Sequence, residues 1–185
     1  MIFNYTASAD NTIVNIFKSN LKTRATGANA GEADILEVFS IYGRQTTSSQ
    51  ELSRVLIKFP IVNITADRTA GSLPASGSVS FYLRLYAAET SKTVPSGIIL
   101  VANPTKNPWE EGIGIDLENY KDLTHGGPGA NWMSASSTAS WNSMSGGADW
   151  LSSSADYRYE QTFESGLGDL ELNITPLVEN WIAGA

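Results

Sequence analysis

The stretch "SVSFYLRLYAA" at 78–88 places Val79, Phe81, Leu83 and Leu85 on one side of an extended chain and Ser80, Tyr82, Arg84 and Tyr86 on the other. A period of two with one apolar side suits a half-buried β-strand, whereas a helix would scatter those residues around its axis. Five further runs of β-branched and aromatic residues lie between Gly, Pro, Asn and Ser punctuation: "ILEVFSIYG" (35–43), "RVLIKFPI" (54–61), "SGIILVAN" (96–103), "YRYEQTF" (157–163) and "DLELNI" (169–174). Within 54–61, Val55, Ile57 and Phe59 oppose Arg54, Leu56 and Lys58. The segment "NTIVNIFKSNLKTRA" fits a short helix or a strand equally, because its apolar spacing is helical while its opening residues are β-branched. Many short strands and almost no helix predict an all-β antiparallel sandwich or barrel. With 185 residues, 42% of them hydrophobic, the expectation is one domain over 1–185.

The closing "DLELNITPLVENWIAGA" departs from that pattern. Leu170, Leu172 and Ile174 alternate with Glu171 and Asn173, as in a strand with one buried face. Thr175 then suits an N-cap, Pro176 the first helical position, and Gly184 the left-handed residue that ends a helix. Leu177, Val178, Trp181 and Ile182 share one face, with Glu179 and Asn180 toward water. A short C-terminal helix plugging the end of a sandwich is expected.

Charge and chemistry narrow the functional classes. Twelve Lys and Arg against 19 Asp and Glu give a net charge of −7, which repels phosphate backbones and argues against nucleic-acid binding. The absence of cysteine removes disulfides, Cys-based zinc sites and thiol redox chemistry. No apolar stretch approaches the roughly 18 residues of a membrane span, and no basic segment precedes an apolar run at the start. The expectation is a protein made in the cytoplasm that does not engage a membrane.

Three groups of residues could carry chemistry. Glu110, Glu111 and Asp116 belong to an acidic stretch, "NPWEEGIGIDLENYKDL" (107–123), whose oxygens could hold calcium or serve as an acid–base pair. The stretch lacks the order of a dedicated calcium loop, and neighbours such as Glu110 and Glu111 point to opposite sides of an extended chain, so a solvated turn is the plainer alternative. His125 is the single histidine and sits in the glycine-rich "THGGPG", a poor support for a catalytic triad. There is no phosphate loop with its lysine and no zinc helix motif, so a non-enzymatic role and no required cofactor are expected. The third group is aromatic: Trp132, Trp141 and Trp150, nine residues apart in a Ser- and Gly-rich excursion over 126–154, with Tyr157 and Tyr159. Such rings stack on sugars when exposed and fill cores when buried.

Taken in order, "ADNTI", "ILEVFSIYG", "RVLIKFPI", "SGSVSFYLRLYAAET", "NPWEEGIG", "ANWMSASSTASWNSMSGGADW" and "DLELNITPLVENWIAG" resemble the DNRLRE-type β-sandwich modules over nearly the whole chain. The shared marks are an Arg-containing strand ending in Lys-Phe, an "A-x-L-x-L-Y"-like strand, a Trp-Glu motif and a closing "D-[VI]-T-x-x-V-x-x-W-x-x-G". The resemblance implies a jelly-roll-like, non-catalytic module of the kind found in bacterial surface and carbohydrate-active proteins and in tailed-phage virions. The Ser-rich Trp insertion and the acidic "GLGDLELNIT" are more similar to the bacteriophage branch. It further implies a virion component of head, neck, tail or fibre, assembled in the host cytoplasm, with other virion proteins and copies of itself as partners, and a glycan as the alternative ligand. Modules of this type continue after the Trp-x-x-Gly with one more strand. The expectation is a longer chain, or a strand supplied by a neighbouring subunit to an open sheet edge.

Overall fold

The computed structural model describes residues 1–90, 96–115, 128–151, 157–165 and 168–184. Among them are seven strands and two helices: β1 Ala9–Val14, β2 Ser40–Tyr42, β3 Gln50–Lys58, α1 Ile61–Thr69, β4 Tyr82–Leu85, β5 Ile98–Ala102, β6 Tyr159–Phe163, β7 Leu170–Asn173 and α2 Thr175–Ile182. The fold is predominantly β, and every strand pair is antiparallel. The chain forms two compact units that interleave in sequence: Met1–Tyr5, Pro60–Pro104 and Leu151–Ala185 in the first, Thr6–Phe59 and Thr105–Trp150 in the second.

The second unit is built on a three-stranded sheet in the order β1-β3-β2. Asn11 lies opposite Leu56, Ile13 opposite Arg54, and Ser40 opposite Leu52. All four residues from Asn11 to Val14 are buried, because both faces of β1 are covered. Ile13 belongs to a core cluster with Leu56, Trp109, Trp132 and Trp141, while Val14 belongs to a separate cluster with Ile16, Ala25, Ala28 and Ala30. This two-sided burial explains why the segment from Asn11 shows no clean alternation. It is a strand, and the chain then turns at Leu21 (φ 50°) to bring Arg24 back beside Phe17. β3, at the centre of the sheet, also has apolar residues on both faces. Leu56, on the side opposed to Val55, Ile57 and Phe59, is buried in the cluster that holds the tryptophans.

The first unit holds two ribbons, β4-β7 and β5-β6. The side chain of Gln161 on β6 joins them: its amide nitrogen donates to the Asp169 carbonyl (2.9 Å) and its oxygen accepts from the Glu171 N–H on β7 (2.8 Å). A side-chain amide here does the work of a peptide group in a ladder. Leu83, Leu85, Ile98 and Leu100 turn inward onto a core of Ile64, Leu73, Phe163, Leu170, Leu172, Ile174, Leu177 and Val178. Tyr82 and Arg84 are exposed, as the alternation predicts. Each fully buried aliphatic side chain of this kind contributes roughly 1.5–3 kcal/mol.

Four local expectations are corrected. The strand anticipated over 54–61 ends at Lys58, because Pro60 has no N–H for a ladder and its carbonyl instead accepts the first bonds of α1, from Asn63 (2.9 Å) and Ile64 (3.3 Å). α1 forms despite its β-branched composition; Thr65 and Thr69 return their hydroxyls to the carbonyls four residues earlier, both at 2.9 Å. The run at 35–43 is a strand only over Ser40–Tyr42. At the C-terminal helix the cap position falls on Ile174, and Thr175 accepts the Phe81 N–H through its hydroxyl (2.8 Å), pinning α2 to the start of β4. Glu179 does not face open water: it forms a two-pronged ion pair with Arg68 of α1, at 2.7 and 3.1 Å.

Candidate functional site

The aromatic excursion of the second unit is organised around Arg54, a residue that the strand pattern puts on a solvent face. Its guanidinium lies 4.3 Å from the Trp150 ring centroid and 5.0 Å from that of Trp132, and it donates to the Gly147 carbonyl. Burial pushes its pKa below the ordinary arginine value, and the two electron-rich ring faces compensate part of the lost hydration. Gly147 must be glycine for two reasons. Its φ is +86°, and a Cβ there would stand 2.5 Å from Arg54 Nη1.

The three tryptophans do different jobs. Trp132 is 5% exposed and its indole N–H donates to the Ser145 carbonyl (3.0 Å); Trp141, equally buried, donates to the Asn131 carbonyl (2.8 Å). These two rings are core, and each indole donor is satisfied at a loop carbonyl. Trp150 is 37% exposed, so it alone of the three offers substantial ring surface. Tyr157 and Tyr159 belong to the first unit, where they pack against its apolar core, and the Tyr157 hydroxyl accepts from Asn180 (3.0 Å).

The carboxylates at 110 and 111 diverge, as their adjacency predicts. Glu110 Oε2 accepts from the Ser137 N–H (2.8 Å) and the Gly129 N–H (3.3 Å), and these bonds, the one from Ser137 foremost, hold its pKa below the usual value. Glu111 Oε1 accepts the Asp10 N–H of β1 (2.8 Å). Asp10 in turn is pushed upward, first by burial and then by the charge of Glu111. Both glutamates therefore fasten loops to neighbouring backbone. Asp116 and His125 lie outside the described residues. Among the described residues, no three acidic or histidine side chains gather into a group able to hold a metal ion.

Several fastenings of the same sort carry no sequence signal beyond a polar residue in an apolar run. Asn11 is fully buried; its amide donates to the Ala130 carbonyl (2.9 Å) and accepts from the Ala30 N–H (3.0 Å). Asn29 accepts the Gly114 N–H (2.9 Å). Asp149 collects the N–H groups of Asn142 (2.6 Å) and Ser143 (2.8 Å) and the Asn107 amide (2.9 Å). Glu51, fully buried in β3, accepts from the Phe17 N–H (2.5 Å) and from Arg44 (3.1 Å). In this unit the loops satisfy their backbone through side chains, since few strands are available to do so. The arrangement holds a rigid surface in place, with Trp150 and its arginine at one point of it. No family model, curated protein or solved structure matches this chain.

Proposed function

We propose that this chain is a structural component of a tailed-phage virion, a jelly-roll-like β-sandwich of the DNRLRE-like type that works through protein–protein contacts and not through catalysis. The observation that carries the reading is that the motif residues are pins of the fold. Arg54 is clasped by two tryptophans, Trp109 is buried in one core cluster with Trp132, and Glu110 anchors the 129–137 loop. Thr175 ties α2 to β4, Val178 is buried below it, and Gly184 ends the helix at φ +86°. Residues of this kind preserve a shape. The acidic side chains that could have served as an acid–base pair are also engaged, each with a backbone N–H of a neighbouring loop.

Mass spectrometry of gradient-purified particles from cells that produce this chain tests the proposal. The protein should co-sediment with the particles in a fixed ratio to their other major components; its absence from clean particles overturns the reading. A glycan-binding role is favoured by one observation, the partly exposed Trp150 ring resting on Arg54. Retardation in a polysaccharide affinity gel that is lost in Trp150→Ala would establish it, and unretarded migration in neutral and acidic gels would remove it.

A further inference from the structure

Among the described residues β5 pairs with β6 alone, which leaves its other edge unpaired there. Exposed edges are normally blunted by a charge, a proline or a bulge, because their free N–H and C=O groups template pairing with another chain. The sequence of β5, Ile98-Ile99-Leu100-Val101-Ala102, contains none of these. Its inward row packs on the core while Ile99 and Val101 are 54% and 42% exposed. The other short edge strands differ. β4 carries Arg84, which is ion-paired with Glu171 on its exposed face, and β2 is only three residues long.

We propose that β5 is a self-association edge: two copies of this chain pair their β5 strands antiparallel about a two-fold axis through Leu100. The inference rests on the reading of this chain as a multi-copy structural protein, and it names one contact by which copies meet. The exposed row of Ile99 and Val101 is its own apolar complement about a two-fold axis, which selects a second copy, and charge selects this edge for the contact. Two chains of net charge −7 repel, so a self-contact must keep carboxylates apart. β5 brings none, and Glu160, opposite Val101 on β6, is already paired with Arg158. In the paired arrangement the two β6 strands stand about 14 Å apart, three strand spacings, beyond the screening length of roughly 8 Å at physiological salt. The two-fold register sets Ile99 directly opposite Val101 of the second copy, so the exposed apolar row of each continues into the other.

The chain has no cysteine, which makes the register testable by crosslinking. Residues directly opposite have Cβ atoms about 4.5–5.5 Å apart, near disulfide range, whereas diagonal neighbours lie about 7–8 Å apart. An oxidised equal mixture of Ile99→Cys and Val101→Cys chains should therefore give a disulfide-linked dimer, and either variant alone should not. In sedimentation velocity the unmodified chain should double its 19.9 kDa mass as concentration rises. Val101→Lys should hold it at the single-chain mass, and Val62→Lys, at an exposed position on α1, should leave the doubling intact. Three results overturn the proposal: a single-chain mass at the highest soluble concentration with no crosslink in the mixture, a dimer indifferent to Val101→Lys, or crosslinking by one variant alone. The particle test is independent of these outcomes. A stoichiometric virion protein that stays monomeric sinks only the edge contact, and a β5 dimer absent from particles sinks only the virion role.

Discussion

Arg54 has three partners, the Trp132 and Trp150 rings and the Gly147 carbonyl, and together they make it the most consequential surface-strand residue of the second unit. Arg54→Ala should destabilise the fold by about 2 kcal/mol, from two cation–π contacts and one charge-assisted hydrogen bond. Arg54→Lys should recover only part of this, because a point charge cannot lie flat between two rings. Urea unfolding measures both, and the tryptophan emission of the alanine variant should shift to the red as Trp150 loosens. Gly147→Ala should cost a further variant about 2–3 kcal/mol, combining a strained positive φ with a steric collision against Arg54. A neutral result for Gly147→Ala in the same assay would mean that the clasp opens freely. Nothing in the alternation of β3 marks Arg54 as half-buried. The signal that was available is the three nine-residue-spaced tryptophans, whose large ring area needs a polar neighbour wherever it meets the surface.

At the scale of elements, the two seams of the first unit differ in how they respond to solution conditions. Gln161 is uncharged, so replacing it by leucine should remove about 1 kcal/mol at every pH and speed amide exchange at Glu171, whose N–H loses its acceptor. The helix seam is titratable. Glu179 is held below its ordinary value chiefly by its hydrogen bond with Arg68, so its contribution is present above pH 4.5 and is lost as pH falls through the lowered value. The Tyr5 hydroxyl, pushed up to about 12 by burial and by its hydrogen bond to Asp67, contributes below its ordinary 10.0 and loses that contribution as pH rises toward 12. Tyr5→Phe should therefore flatten the alkaline limb of stability against pH, and Glu179→Gln the acid limb, both read from urea midpoints across a pH series. The elements themselves were unevenly legible. β4, β5, β6 and β7 were plain because each has one wet face, and α2 because Pro176 and Gly184 punctuate it. β1 was ambiguous because both its faces are buried, and α1 was hidden because "IVNIT" looks like a strand until Pro60 is seen to break the ladder before it.

For the whole molecule, charge and topology carry the remaining consequences. The chain has a net charge of −7 and a pI of about 4.6, so contact between copies works against a long-range repulsion that salt screens. The β5 dimer should therefore strengthen as salt is raised at neutral pH and as pH is lowered toward the pI; sedimentation at low and high salt checks this, and a dimer that weakens with salt would point to an ion-paired contact elsewhere. The predominance of strand was readable from the whole sequence. The division into two units was not, because each unit draws on stretches far apart in the chain and no composition change or linker marks the crossings at 5/6, 59/60, 104/105 and 150/151. That interleaving sets the order in which the protein can be made. The second unit needs Ala130 to close on Asn11, 119 residues earlier, and the first needs β6, β7 and α2 to complete its core. A ribosome that has released the first hundred residues has released neither unit in finished form. The second unit can close only once the stretch up to Trp150 has emerged, and the first only after α2, so the paired β1 and β3 wait with Ile13 and Leu56 uncovered until the tryptophans arrive.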